Sequence, residues 1–321
     1  MTRSNLFKVS LVVSNIFLVV SCSKISDFLL NNPQLQYHML AVGNGLSTII
    51  TNSQYKNRAI MFDTGIGGNP QDWWKNKYAK NNFVANYLKN LEINQLDAIF
   101  ISHDHTDHTS NLETIVNTVN VKNIYGSRSF FERYQGKASK KWPKQWADLK
   151  IIVQDVKPSY NILGLSFDNL TYKIQDFINS NSSKDENNQS LVLSFVYQNQ
   201  RFLLTGDTEK KVEQELLKKN LLSEVNFLQV AHHGSKTSSS LSFLNKIKPK
   251  TCFASGVNPD TYGLEYVGNK SHIYPTAEVM ANLKTVGCDF SWTGKDGTLV
   301  YTVTNSKAQV QKLNYHIKNY T

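Results

Sequence analysis

The chain has 321 residues, 40% of them hydrophobic and 11% aromatic, which is enough apolar material for a sizeable core and too much for a disordered polymer. Lysine and arginine outnumber aspartate and glutamate by 35 to 25, giving a formal charge of +10 and a pI near 9.3. That balance favours contact with a polyanion such as nucleic acid or anionic lipid, and no repeated apolar runs of about 20 residues are present to form a helical membrane channel.

At the N-terminus, Arg3 and Lys8 precede the apolar run Leu11 to Val20, broken only by Ser14 and Asn15. This is the pattern of a signal peptide. Val19-Val20-Ser21-Cys22, a small residue before cysteine, resembles a bacterial lipobox, so residues 1–21 are read as a leader and Cys22 as the lipid-bearing first residue of the mature chain. An uncleaved anchor and simple secretion are the alternatives, and each also places the domain outside the cytoplasm, facing the periplasm or the exterior. Residues 22–33, ending in Asn31-Asn32-Pro33, read as a tether, and residues 34–321 as the domain. Cys252 and Cys288 stand in no metal-binding spacing; they are either a disulfide or two buried thiols.

Along the domain, runs rich in β-branched and aromatic residues predict strands at Gln36–Val42, Ser47–Thr51, Ala59–Phe62, Ala98–Ser102, Leu191–Tyr197, Phe202–Thr205, Val225–Val230 and Thr251–Ala254. Helical periodicity predicts helices at Phe83–Leu91, Leu112–Val119, Glu209–Leu217, Ser239–Ile247 and Thr276–Val286. Early hairpins followed by strand-helix alternation imply an α/β architecture of two mixed sheets packed together with helices outside. Lys122 to Lys150 departs from this rhythm: eight basic residues, among them Lys137, Lys140, Lys141 and Lys144, are interleaved with Phe130, Phe131, Tyr134, Trp142 and Trp146. Cations tracking phosphates and rings stacking on bases would suit a nucleic-acid strand; the plainer reading packs the rings onto the core.

Chemistry concentrates at strand ends. The run Ile99 to Ser102 delivers His103-Asp104-His105-Thr106-Asp107-His108, where two imidazoles on one side of an extended strand end can grip one ion, and Asp107 with His108 in the following turn can grip a neighbour. Four such ligands within six residues are a strong signal. A second strand ends in Gly206-Asp207, and after a helix a third leads to Ala231-His232-His233-Gly234-Ser235. Asp207 could bridge two ions with its two oxygens, and one of His232 and His233 could complete the second site.

Through His-x-His-x-Asp-His the chain resembles the metallo-β-lactamase fold hydrolases. The order of Val42-Gly43-Asn44-Gly45, Met61 to Gly65, Ser102 to His108, Glu186 to Val192, Phe202 to Asp207 and His232 to Ser235 is similar to the extracellular hydrolase domain of ComEC-type DNA-uptake proteins, over roughly residues 35–304. The resemblance implies an αββα sandwich in which His103 and His105 hold one metal, Asp107 and His108 the other, Asp207 bridges, and His232 or His233 closes the second site. Asp63, grouped with Asp107 and His272 among the catalytic candidates, would hydrogen-bond a ligand histidine. Residues 109–231 contain no histidine where many relatives carry a further imidazole; the ComEC-type branch has an asparagine motif there, and the resemblance implies Asn187, three residues before Ser190, as the ligand, with Asn188 as the fallback. An amide oxygen makes that site friendlier to Mn²⁺ while Zn²⁺ stays possible. His272 is a substrate-facing phosphate contact or acid, or else a surface residue flanking a helix.

Two divalent ions would activate a shared water for hydrolysis. The basic charge points to a phosphodiester substrate, with DNA first and Lys137, Lys140, Lys141 and Lys144 as its contacts. A β-lactam or thioester hydrolase on the same centre is the alternative enzyme; a non-catalytic nucleic-acid-binding lipoprotein is the alternative outside catalysis.

Overall fold

The structure, a computed structural model, describes residues 32–67, 82–127, 130, 152–154, 157–181, 185–262 and 273–317. Cys22, His272, Lys137, Lys140, Lys141 and Lys144 lie outside the described residues. The first sheet contains β1 (Gln34–Met39), β2 (Ser47–Asn52), β3 (Arg58–Thr64), β4 (Gln95–Ile101), β5 (Asn120–Val121), β6 (Asn123–Gly126) and β7 (Ile152–Gln154). The second contains β8 (Ser159–Ile162), β9 (Leu165–Asn169), β10 (Leu193–Tyr197), β11 (Gln200–Leu204), β12 (Phe227–Gln229), β13 (Thr251–Ala254) and β14 (Asp289–Trp292). The C-terminal hairpin, β15 (Thr298–Thr304) and β16 (Lys307–Leu313), returns to the first sheet, giving the orders β16-β15-β1-β2-β3-β4-β6-β7 and β14-β13-β12-β11-β10-β9-β8.

Period-2 alternation sorts side chains onto the two faces of each sheet. On β3, Ile60 and Phe62 enter the core between the sheets, packed with Tyr37, Phe100, Phe195, Phe202 and Phe227, while Ala59 and Met61 face an outer layer. That layer is covered by α1 (Phe83–Asn90) and α3 (Leu112–Val116), on either side of the short α2 (Thr106–Thr109). On the other side, α4 (Lys210–Lys218), α5 (Leu241–Ile247) and α6 (Ala277–Thr285) bury Val212, Leu216, Phe243, Leu244, Val279 and Leu283 against the second sheet. Both sheets are therefore covered on both faces, which is why their central strands read as nearly continuous apolar runs. The result is the expected αββα sandwich.

Cys252 on β13 and Cys288 just before β14 form a disulfide with Cα atoms 6.1 Å apart, so of the two readings left open by the sequence the structure has the bond. Parallel pairing of β3 with β4 and of β11 with β12 brings the C-terminal ends of these strands to one edge of the sandwich. The edge is stitched across: the amide of Leu191 donates to the Ser102 carbonyl at 3.0 Å and that of His232 to the Gly206 carbonyl at 3.1 Å.

Candidate metal centre

Each chemical motif sits on a loop leaving one of these strand ends. β4 ends at Ile101, and Ser102 to His105 follow in non-helical conformation before α2 lifts Asp107 and His108 on a single helical turn. Gly65, after β3, lies directly beneath this turn; a Cβ there would fall 1.5 Å from the Asp107 carbonyl oxygen, so only glycine permits the approach. Gly206, at φ 52°, brings the β11 end equally close, since a Cβ would lie 2.6 Å from that of Ser102. Asp63, His232 and His233 also adopt left-handed backbone, at φ 58°, 50° and 55°, a cost of about 1–2 kcal/mol each for residues bearing a Cβ. Such strain persists where the surroundings fix it and clusters at functional sites.

The side chains converge. Asp107, His108, Asp207 and His233 each offer one ligand atom, and these four atoms lie within 4.8 Å of one another. His108 Nε2 is 3.1 Å from Asp207 Oδ1, while His233 Nε2 is 3.5 Å from Asp107 Oδ2 and 3.6 Å from Asp207 Oδ2. His232 is turned differently: its Nδ1 lies 2.9 Å from Thr237 Oγ1 and 3.4 Å from Glu209, and its Nε2 is 3.8 Å from Asp207 Oδ2. Of the histidine pair, His233 thus joins the four-residue group. Beside it, His103 Nε2 and His105 Nδ1 approach to 2.9 Å, and the His103 and His108 rings are 4.2 Å apart.

Behind His108, Asp63 is fully buried. Its carboxylate accepts from His108 Nδ1, from the Ser102 amide and from Ser102 Oγ, each at 2.7 Å. Asp63 therefore acts through His108 rather than on a bound molecule. Asn187 and Asn188 divide as well: Asn188 is spent on the loop, its Nδ2 donating to Asp185 and Glu209 and its Oδ1 accepting from the Glu209 amide, whereas Asn187 Oδ1 is buried without a hydrogen-bond partner.

The electrostatics follow from crowding three carboxylates together, Asp63 and Asp207 buried and Asp107 partly exposed. Burial opposes charge on Asp207, but the neighbouring His108, His233 and His232 outweigh it and hold the carboxyl well below its usual range. Burial likewise opposes charge on Asp107, and the close approach of His233 together with the charge on His108 outweighs it and lowers the pKa. His108 is the reverse case: burial disfavours its proton, yet Asp207 and Asp63 push its pKa well above the ordinary value. His103 is lowered, by burial first and then by the charge of His108. The cluster thus demands positive charge, and a proton on His108 supplies only part of it.

The donor set fits divalent cations. His108 Nε2, Asp207 Oδ1, both ring nitrogens of His233 and Asn187 Oδ1 are buried without a hydrogen-bond partner, an unusual concentration for a folded protein. His108 Nε2 and Asp207 Oδ1 are close enough to bond but not aligned to do so. Imidazole with carboxylate suits zinc, and added amide or carboxylate oxygens suit manganese.

The sequence did not single out several neighbours. Ser190 Oγ accepts from the Asp207 amide at 3.1 Å and Glu186 lies 3.2 Å from His105 Nε2; both belong to the 186–190 motif, which could have marked them. Glu209, two residues beyond Asp207, is pulled down to about 2 chiefly by its hydrogen bond with His232. Tyr274 places its ring 6.2 Å from that of His233; it stands two residues after His272, which the sequence marked in its stead. In the basic-aromatic segment, Phe130 is fully buried in the outer core and Lys122 lies 3.7 Å from Asp97 at the opposite end of the sheet. Neither is placed to contact a nucleic acid at the cluster.

Residues 40–157 match the family model described as the metallo-beta-lactamase superfamily, and the chain has the metallo-β-lactamase fold. Among solved structures, the metallo-beta-lactamase fold protein YhfI from Bacillus subtilis superposes with a TM-score of 0.51 at 10% identity, covering 85% of this chain and 100% of its own. Within this class the chain resembles competence proteins of the ComEC type. It is 26% identical over 276 residues to competence protein ComA of Neisseria gonorrhoeae, covering 84% of this chain and 33% of that protein. It is 24% identical over 274 residues to ComE operon protein 3 of Bacillus subtilis, covering 83% and 33%, and 28% identical over 254 residues to recombination protein 2 of Haemophilus influenzae, covering 77% and 28%. The chain thus spans about a third or less of the length of these relatives. Among the described residues no helix is long and apolar enough to cross a membrane.

Proposed function

We propose that the chain is an exported, membrane-anchored phosphodiesterase that hydrolyses extracellular DNA with two divalent ions. The observation that carries the metal-dependent part is the convergence of Asp107, His108, Asp207 and His233 to within 4.8 Å beside the His103–His105 pair. In this reading His103, His105 and Asn187 would hold one ion and Asp107, His108 and His233 the other, with Asp207 between the two groups as a further ligand. When bound, such a pair supplies Lewis acidity toward a phosphoryl oxygen and lowers the pKa of water.

The chain's own residues do the rest. Asp63 fixes the tautomer and plane of His108 from behind, leaving Nε2 as the lone-pair nitrogen. Ser102 and Ser190 hold the two strand ends in register, so that Asp207 meets the histidines. Tyr274, with burial and the charge of Asp207 pushing its phenol up, remains a neutral O–H donor beside the site. The side chain of Asp107 is 30% exposed and that of Asp207 only 2%, so substrate approaches over Asp107.

DNA as substrate is supported by the competence-type relatives and by the net charge of +10. Lys137, Lys140, Lys141 and Lys144 would line its path, and His272 would contact a phosphate. Export and anchoring at Cys22 are supported by the N-terminal pattern and, for export, by the Cys252–Cys288 disulfide, which belongs to an oxidising compartment. The test is a panel of single- and double-stranded DNA, RNA, a simple phosphodiester and a chromogenic β-lactam, offered to protein reconstituted with Mn²⁺ or Zn²⁺. Cleavage of DNA supports this reading; turnover of the β-lactam alone replaces it.

A further inference from the structure

The charge of the described residues is divided between the two ends of the sandwich. Strand direction puts the β2–β3, β10–β11 and β15–β16 turns, together with the C-terminal ends of α4, α5 and α6, at the end away from the metal cluster. Lys56, Lys219, Lys250, Lys284 and Lys307 are exposed there, and none has an acidic partner at ion-pair distance among the described residues. Only Lys218, Lys248 and the Arg58–Lys122 pair find carboxylates, on Glu215, Glu224 and Asp97. The basic end also exposes Glu92 and Asp289, whereas the cluster end carries Asp104, Glu186, Glu209, Asp260 and Glu278 in addition to Asp107 and Asp207.

The same basic end is where the described chain begins. Asn305 Nδ2 donates to Asn32 Oδ1 at 2.7 Å and Gln198 Nε2 to the Pro33 carbonyl at 2.9 Å, fixing the N-terminal segment against the turns of both sheets. A six-residue strand such as β1 is about 20 Å long, so a group bound by these lysines does not itself touch the cluster.

We infer that this basic end docks on an anionic lipid surface, with the metal cluster facing away from the membrane. The inference rests on the proposed membrane anchorage. Fully extended, the chain from Cys22 to Asn32 reaches at most about 36 Å, which holds the end carrying Asn32 within that distance of the bilayer. Juxtamembrane lysines are drawn to an anionic leaflet over a Debye length of about 8 Å at physiological salt, and this attraction selects one orientation from those the tether allows.

The experiment uses the full-length chain with neutral phosphatidylcholine vesicles and with vesicles containing phosphatidylglycerol. A fluorophore is placed on Ser306→Cys at the basic end or on Lys236→Cys beside the cluster, and quenching by a headgroup-attached spin label is read for each. With anionic vesicles, the label at 306 is expected to be quenched several-fold more than the label at 236, and the difference to vanish in high salt or after combined charge reversal at Lys56, Lys250, Lys284 and Lys307. Equal quenching at both positions, or a preference that survives charge reversal, overturns the inference. So does duplex DNA that competes the vesicles off this end. Anchorage is read separately by flotation with neutral vesicles: if the protein stays in solution there, the anchor reading fails, while quenching on anionic vesicles still decides the docking face.

Discussion

Asp63 and His108 share one buried hydrogen bond, 2.7 Å from Oδ2 to Nδ1, which fixes the ring whose opposite nitrogen lies 3.1 Å from Asp207 Oδ1. Asp63→Asn keeps the volume but removes the charge that holds the proton on Nδ1. Outer partners of metal-binding histidines typically contribute about 10–100-fold in affinity or activity. Metal affinity and turnover are expected to fall by that order with an unchanged circular dichroism spectrum. Full affinity in the variant, measured by calorimetry, would remove Asp63 from the account.

Asn187 and Asn188 are adjacent, and the structure gives them different tasks. Asn187→Ala removes the buried, unpartnered oxygen and should lower the metal content from two ions toward one with little loss of stability. Asn188→Ala breaks the contacts to Asp185 and Glu209 and should instead lower the melting temperature. Elemental analysis beside thermal unfolding separates the two, and the opposite pattern would exchange their roles.

The Arg58–Asp97 pair, far from the cluster, sets a pH dependence of stability. Burial raises the Asp97 carboxyl, but the hydrogen bond from Arg58 outweighs it, with smaller help from Gln95 and Lys122, and the pKa lies below the ordinary aspartate value. A carboxyl lowered in the folded state stabilises above its unfolded pKa, and the contribution disappears as pH falls through the folded value. Because the Arg58 side chain is 38% exposed, solvent screens the pair and the effect is only about 1 kcal/mol. Asp97→Asn should therefore cost about that much near neutral pH and almost nothing in strong acid. Urea unfolding at both pH values checks it; a penalty independent of pH would show that packing, not charge, is responsible.

Converting Lys137, Lys140, Lys141 and Lys144 together to Gln should weaken DNA hydrolysis and flatten its salt dependence, because fewer counterions are released on binding. A small phosphodiester, which needs only the metal centre, should be turned over at the wild-type rate. Equal losses on both substrates would indicate damage to the fold. No loss on either would leave these lysines as an ordinary basic surface.

The parts of the molecule legible in the sequence are those where pattern and position coincide. Ile99 to Ser102 is apolar because β4 is covered on both faces, and the ligands follow it because chain reversal at a strand end is where side chains can converge. The strand β16 was not legible: Lys307 to Leu313 is exposed on nearly every residue, so no alternation marks it, and only pairing with β15 orders it. The short β8–β9 hairpin escaped for a different reason: β9 alternates buried Leu165 and Phe167 with Ser166 and Asp168, but the two strands have only four and five residues. The choice between His232 and His233 was also hidden, since both sit in left-handed backbone and their directions depend on the turn rather than on periodicity. The separation of charge between the two ends needs the topology, because the residues concerned are scattered from Lys56 to Lys307.

The central claim is that this cluster binds two divalent ions and uses them on DNA, and one paired measurement tests it. Metal content and DNA hydrolysis are determined on the same preparations of wild type and Asp207→Asn, each reconstituted with Mn²⁺ or Zn²⁺. The account predicts about two ions per chain and DNA cleavage in the wild type, with fewer ions and no cleavage in a variant that remains folded. Wild-type protein that holds its metals but leaves DNA intact, or an Asp207→Asn variant that cleaves DNA at full rate, would contradict it.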